Sequence, residues 1–188
     1  MMDISVVISL YNERESLQEL VKGIGEAIAP TGLTYNIIMV NDGSTDGSWE
    51  LIKEMAKTNS HVKGICFRKN YGKSAALFHG FEAADGEVVI TMDADLQDDI
   101  EVLDEFMERY HEGCHVVYGV RKERKTDTFF KRNSALAFYK LMNILGTKVL
   151  NNHADYRLMS KEALEGLAQY REVNLFLRGI VPEIGYKT

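Results

Sequence analysis

Four aspartates in the middle of the chain are the first residues whose spacing suggests chemistry. Asp93, Asp95, Asp98 and Asp99 directly follow the apolar run 87–92, which is typical of a buried strand. Two carboxylates one residue apart on rigid backbone can bind one divalent cation and leave positions open for phosphate oxygens. The alternative is a solvated acidic loop in which Asp98 or Asp99 caps a helix.

Strand and helix patterns alternate over the first 120 residues, and they must position these aspartates. Apolar runs typical of strands lie at 4–10, 35–40, 62–67, 87–92 and 115–120, and apolar residues at helical spacing separate them. This order predicts an α/β domain with a central, mostly parallel sheet flanked by helices. Polar segments follow four of the strands, at 11–13, 41–48, 68–73 and 93–99. We therefore expect them to gather at one sheet edge, as in a nucleotide site.

The last third of the chain has a different pattern. An aromatic-rich helix is predicted at 127–145, a polar-to-apolar segment at 151–159, and a short helix after Ser160. The final block, 174–186, ends in a strand-like stretch, and its abrupt end leads us to expect a chain cut short at the C-terminus.

Composition describes a globular chain and excludes several classes. The chain has 188 residues, 45% of them hydrophobic and 27% charged, which suits one domain with a sizeable core. No apolar run approaches the ~20 residues of a membrane-spanning helix, and no secretory pattern is present. A net charge of −6 argues against a nucleic-acid binder. Cys66 and Cys114 lack zinc-like spacing and are expected to be reduced core residues, which favours a cytoplasmic location.

One segment departs from this acidic average. Residues 121–140 contain seven Lys and Arg against two acidic residues. Such a segment suggests a local anionic partner, either a phosphate or an anionic membrane surface. Residues 122–139 are basic and then aromatic, so they either rest on a membrane or pack against the sheet.

Three common motifs fail. The glycine-rich dinucleotide motif is absent after the first strand, where Tyr11-Asn12-Glu13 stands instead. Gly72-Lys73-Ser74 has the tail of a phosphate-binding loop, but Phe67 occupies the position of its first glycine. Asp98 likewise occupies the glycine position of a calcium-binding loop.

Six segments carry one resemblance in a consistent order: 6–13, 40–46, 68–73, 93–97, 155–159 and 176–179. Together they resemble family-2 glycosyltransferases of the GT-A fold, and most of all the polyprenyl-phosphate sugar transferases. The resemblance implies one catalytic domain over 1–188, with a nucleotide-sugar-binding half at 1–120 and an acceptor-side half at 121–188.

The resemblance also implies a donor site for a UDP- or GDP-sugar. Its residues would be Tyr11, Asn12, Glu13, Asp42, Asn70, Lys73, Asp93 and Ala94. Asp93, Asp95 and Gln97 would ligate Mg²⁺ or Mn²⁺ at the diphosphate. The structural alternatives are a helix cap for Asn12, a turn former for Asp42 and a surface lysine for Lys73.

On the acceptor side, the resemblance implies a lipid phosphate bound by Arg121, Lys131, Arg132 and Arg178. Asp155 and Arg157 would join Asp95 at the catalytic centre, with Asp155 acting as base or orienting Arg157. The alternatives are a solvated basic face and an ordinary Asp–Arg surface pair.

The function expected from the resemblance is a metal-dependent, inverting transfer of a sugar to a polyprenyl phosphate, at the cytoplasmic face of a membrane. One alternative is the same chemistry on a glycan acceptor in polysaccharide synthesis. Another is a nucleotide-binding regulatory domain without turnover.

Overall fold

The computed structural model describes residues 2–120, 153–170 and 177–188, which contain six strands and six α-helices. The strands are β1 (Met2–Leu10), β2 (Tyr35–Asn41), β3 (Val62–Cys66), β4 (Gly86–Asp93), β5 (Val116–Val120) and β6 (His153–Ser160). The helices are α1 (Leu17–Ile28), α2 (Ser48–Thr58), α3 (Lys73–Ala83), α4 (Leu103–His111), α5 (Lys161–Leu167) and α6 (Leu177–Glu183).

The strands form one sheet in the order β3-β2-β1-β4-β6-β5. β1 pairs in parallel with β2 and β4, and β2 pairs in parallel with β3. The prediction of a mostly parallel α/β sheet is therefore confirmed. β6 enters antiparallel between β4 and β5, a strand that the sequence pattern of 151–159 had not identified.

Helices cover both faces of the sheet, which explains the continuous apolar runs of its central strands. The side chains Leu20 and Ile24 of α1 and Phe106 of α4 belong to the core on one face. Leu77 of α3 and Ile180 of α6 belong to the core on the other. Burial of each such side chain stabilises the fold by about 2 kcal/mol.

Helix α3 lies close to the sheet at Gly80. A Cβ atom built at Gly80 would overlap with the side chain of Val7 in β1. The absence of a side chain at Gly80 therefore allows this close approach.

Two sequence predictions are wrong. Residues 177–183 form helix α6 and not a strand-like stretch, because Leu177, Ile180 and Val181 fall at helical spacing and are buried together. Cys66 is exposed at the end of edge strand β3, although both cysteines are free thiols as expected. An edge strand has a neighbour on one side only, which explains the exposure.

The helix expected at 127–145 lies outside the described residues, and the single domain over 1–188 stays a prediction. Among the helices that the structure describes, none has the length and hydrophobicity to cross a membrane.

Candidate functional site

A cavity of about 350 Å³ opens at the carboxyl ends of β1, β2 and β4. The polar segments after the strands supply its walls, as strand order predicted. Its lining residues are Ser9, Leu10, Tyr11, Glu13, Asp42, Asn70, Gly72, Lys73, Asp93, Ala94 and Asp95. All the predicted donor residues except Asn12 are therefore brought together here.

Asn12 ties two loops together. Its backbone N–H donates to Ser44 Oγ at 2.9 Å, and its Oδ1 accepts a hydrogen bond from the Thr45 N–H at 2.8 Å. These bonds hold Asn12 at a φ of 57°, a left-handed conformation that asparagine tolerates better than most residues. Asn12 therefore supports the cavity wall behind Tyr11 and Glu13, and it is not a helix cap.

Asp42 positions a third loop. Its side chain is buried, and its two oxygens accept hydrogen bonds from the backbone N–H groups of Tyr71 at 2.7 Å and Gly72 at 2.9 Å. The loop 68–73 is thereby fixed against the end of β2. Each carboxylate oxygen retains a further lone pair for a ligand hydroxyl.

The donor-side wall, defined here as Glu13 and Asp95, is strongly acidic. Burial raises the pKa of Glu13, and the charges of Asp95, Asp46 and Asp93 raise it further. Such a shift marks a region of negative potential that favours a bound cation. Carboxylate oxygens are the ligands that Mg²⁺ and Mn²⁺ prefer, so the residues present fit a divalent metal.

The structure does not place Gln97 in this cavity. Leu96 has a φ of 58° and turns the chain, so that Gln97 lines a separate depression beside α1. Within the described ranges, no group of three His, Cys, Asp or Glu side chains is arranged to hold a metal.

Asp99 caps the short turn at Ile100–Val102 by accepting a hydrogen bond from the Glu101 N–H, which fits the capping alternative.

A second carboxylate, Asp155 of β6, lies behind the cavity among cations. It accepts hydrogen bonds from Arg157 Nη2 at 2.6 Å and from Arg178 Nε and Nη2 at 3.2 and 3.0 Å. Lys73 Nζ lies 2.9 Å from its Oδ2. Its side chain is only 9% exposed, so it is not part of an ordinary surface pair.

These partners decide the protonation of Asp155. Burial alone would raise the pKa of Asp155, but the hydrogen bond from Arg178 and the charges of Lys73 and Arg157 hold that pKa well below its usual range. The carboxylate therefore stays ionised throughout the physiological range and is a weak proton acceptor. The geometry favours orientation of the arginines over base catalysis.

Arg157 is among the largest fully buried side chains, at 1% exposure. Burial lowers the pKa of Arg157, although a guanidinium remains charged in proteins. Its Nη1 has no hydrogen-bond partner among the described residues. The Thr91 hydroxyl donates to the backbone carbonyls of Asp155 and Arg157, and so ties β4 to β6 beside this pair. Sequence reasoning missed Thr91, whose signal is a lone hydroxyl in the apolar run before Asp93.

Lys73 connects Asp93 in the cavity with the buried cluster, defined here as Asp155, Arg157 and Arg178. Its ammonium donates to Asp93 and also contacts Asp155. Burial lowers the pKa of Lys73, but the charges of Asp155 and Asp93 outweigh it and raise the pKa above its ordinary value. The interpretation of Lys73 as a plain surface lysine is therefore wrong.

Of the four predicted acceptor residues, the structure describes Arg178. It lies on α6 and binds Asp155 with a side chain that is still 43% exposed. Arg121, Lys131 and Arg132 lie outside the described residues.

Comparison with known proteins identifies the family. The sequence profile of glycosyl transferase family 2 matches residues 5–167. The chain belongs to this family. The glycosyltransferase YkoT of Bacillus subtilis, named as uncharacterized, is 48% identical over 98% of this chain and 57% of its own length. A bactoprenol glucosyl transferase of Shigella phage SfV is 38% identical over all of this chain and 61% of its own length. The chain thus spans about three fifths of these curated relatives.

Solved structures of glycosyltransferases share the fold. A mannosyltransferase of Pyrobaculum calidifontis in complex with GDP-Man and Mn²⁺ has a TM-score of 0.69 at 20% identity, over 98% of this chain and 53% of that one. TarS of S. aureus in complex with UDP-GlcNAc has a TM-score of 0.65 at 17% identity, over 98% and 53%. The predicted GT-A fold is confirmed.

Proposed function

We propose that this family-2 domain catalyses the metal-dependent, inverting transfer of a sugar from a nucleotide-sugar donor to a polyprenyl phosphate. The observation that carries the proposal is the cavity in which Glu13, Asp42, Lys73, Asp93 and Asp95 converge from four separate loops. Behind it lies the buried ion cluster of Asp155.

The donor would lie along the sheet edge. Tyr11 and Asp42 are suited to the base and ribose, since a carboxylate readily accepts ribose hydroxyls. Asn70 and Lys73 would contact the phosphates. Asp93 and Asp95 would hold Mg²⁺ or Mn²⁺, which when bound supplies the charge that stabilises a departing nucleoside diphosphate.

The acceptor chemistry agrees with the state of Asp155. A phosphate monoester is largely ionised at pH 7, so its oxygen can attack the sugar without a strong base. Arg178, together with Arg121, Lys131 and Arg132, is proposed to position this phosphate. Attack from the side opposite the leaving diphosphate inverts the anomeric carbon. The name of the phage relative, a bactoprenol glucosyl transferase, supports a lipid acceptor. Action at the cytoplasmic face of a membrane is part of the same proposal.

The first test is calorimetric titration of the chain with UDP and with GDP, each with Mn²⁺ and then with EDTA. We expect one nucleotide to bind only with the metal. In Asp95→Asn this affinity should fall by at least about 100-fold, the upper range for groups that merely support metal ligands. The exposed Asp104 on α4 offers the matched control, Asp104→Asn, which should bind like the wild type.

Failure of both nucleotides to bind under any condition would contradict the proposal, as would an unchanged affinity in Asp95→Asn. Transfer assays with the matching sugar nucleotide then separate the acceptors. We expect product with undecaprenyl phosphate. Product with oligosaccharides alone would favour polysaccharide synthesis, and nucleotide binding without turnover would favour a regulatory domain.

A further inference from the structure

We propose that Lys73 acts as an internal cation that weakens metal binding at Asp93 until its ammonium binds the phosphates of a nucleoside diphosphate instead. This inference rests on the proposed function, since it assumes that the cavity binds a metal and a nucleotide together. It adds a specific property: Lys73 makes the two ligands depend on each other.

The position of Lys73 carries the argument. Its ammonium contacts Asp93 on the cavity wall and Asp155 in the buried cluster at the same time. Among the described residues, Lys73 is the one cation paired with Asp93. Asp155, by contrast, also binds Arg157 and Arg178. Loss of Lys73 from this bridge would leave Asp155 compensated and Asp93 free to ligate.

A metal at Asp93 and the ammonium of Lys73 compete for the same carboxylate. Both are positive, so a divalent ion ligated by Asp93 would lie within a few ångströms of the ammonium and be repelled by it. Glu13 and Asp95 also line the cavity, and they have no such partner among the described ion pairs, so their carboxylates remain available to a cation there. The full negative charge of Asp93 therefore becomes available to the metal only after the Lys73 ammonium has moved.

The phosphates of a nucleoside diphosphate would attract the Lys73 ammonium away from Asp93. Lys73 lines the cavity, and its side chain is 38% exposed, so its ammonium can reach a ligand there without unfolding α3. Phosphate oxygens would replace Asp93 as its partner, and the freed carboxylate would then ligate the metal. Because coupling is reciprocal, the nucleotide should raise the affinity for the metal by the same factor as the metal raises the affinity for the nucleotide.

The test measures Mn²⁺ affinity of the full chain from the electron paramagnetic resonance signal of free Mn²⁺, without nucleotide and then with UDP or GDP. In the wild type we expect the nucleotide to tighten Mn²⁺ binding by about 10-fold or more, within the usual range of coupling between two ligands. Lys73→Met should bind Mn²⁺ alone about 10-fold more tightly than the wild type and lose most of the coupling.

Two further variants separate charge at this position from other effects. Lys73→Arg keeps a cation between the carboxylates and should retain the weak Mn²⁺ binding of the wild type. Lys69→Met removes an exposed lysine that packs over the Tyr71 ring and should leave Mn²⁺ affinity unchanged. If Lys73→Met does not fold, Lys73→Gln supplies a polar side chain without the charge and carries the same expectation.

Equal Mn²⁺ affinity in the wild type and the uncharged Lys73 variants would overturn the inference. An equal gain in Lys69→Met would also overturn it, since net charge alone would then explain the effect. If the proposed function is wrong, the wild type binds neither UDP nor GDP. The Mn²⁺ affinities of the wild type and the Lys73 variants without nucleotide still test the effect of the Lys73 charge.

Discussion

The donor-side wall and the buried cluster contain the same kind of group in opposite electrostatic surroundings. Glu13 and Asp95 line the same cavity without an ion-pair partner among the described residues, and the pKa of Glu13 is raised by burial and by its acidic neighbours. Asp155 lies among Lys73, Arg157 and Arg178. Burial alone would raise its pKa, but these three cations outweigh burial and lower it. A carboxylate short of cations attracts a metal, whereas a carboxylate saturated with cations organises them. The neighbours, and not the acidic residue itself, therefore decide the role.

The largest expected effect follows from removing the centre of the buried cluster. Asp155→Asn leaves the fully buried Arg157 without its charge partner, so we expect a loss of about 3 kcal/mol in the free energy of unfolding at pH 7, measured with urea. The pKa of Asp155 is depressed in the folded state. The ionised carboxylate therefore stabilises the fold fully above its unfolded pKa of about 3.9, and this stabilisation is lost as the pH falls towards the folded-state pKa.

The difference between Asp155→Asn and the wild type should therefore narrow below about pH 4. Asp104→Asn, on the exposed face of α4, should match the wild type at every pH. Equal stability of Asp155→Asn and the wild type at pH 7 would remove the contrast between the two regions.

An intermediate effect is expected from Arg157→Met. This change removes one charged hydrogen bond, yet Asp155 keeps Lys73 and Arg178, so the loss should be about 2 kcal/mol. The pKa of Asp155 should also rise, which would shift the acid arm of the stability profile to higher pH. Urea unfolding between pH 3 and 7 measures both. A loss larger than that of Asp155→Asn would show that Arg157 acts chiefly through other contacts.

The smallest effect on stability is expected on the donor-side wall. Because the folded pKa of Glu13 is raised, ionising it costs stability as the pH rises through its unfolded and folded values. Glu13→Gln removes this cost, so stability at pH 7 should stay within about 0.5 kcal/mol of the wild type or rise slightly. Nucleotide affinity with Mn²⁺ should still weaken.

The exposed neighbour Glu15 provides the control, Glu15→Gln, which should change neither stability nor Mn²⁺-dependent affinity. A clear loss of stability in Glu13→Gln would place Glu13 in a structural role instead of an electrostatic one.

Strand order predicted where the donor side would form, and local turns decided which residues entered it. Parallel strands end at one sheet edge, so the loops after β1, β2, β3 and β4 had to meet there. Asn12 and Gln97 left the predicted site because two positive-φ turns, at Asn12 and Leu96, redirect the chain. The spacing of apolar residues does not predict a positive-φ turn, and neither position is a glycine, the residue that would have indicated one.

The buried cluster was less predictable because it depends on β6. Residues 151–159 alternate too weakly to predict a central strand, and β6 is buried because β4 and β5 flank it. The alternation then places Asp155 and Arg157 on one face, with the Thr91 hydroxyl beside them.

The sequence by itself determined the α/β class, the family resemblance and the gathering of the acidic loops, since these follow from local periodicity and strand order. Only the tertiary structure decided that Lys73, Arg157 and Arg178 meet at Asp155, from the start of α3, from β6 and from α6. The physical reason is that an ion pair depends on the distance between side chains in space. Elements far apart in the chain acquire that distance only when the sheet and its helices pack.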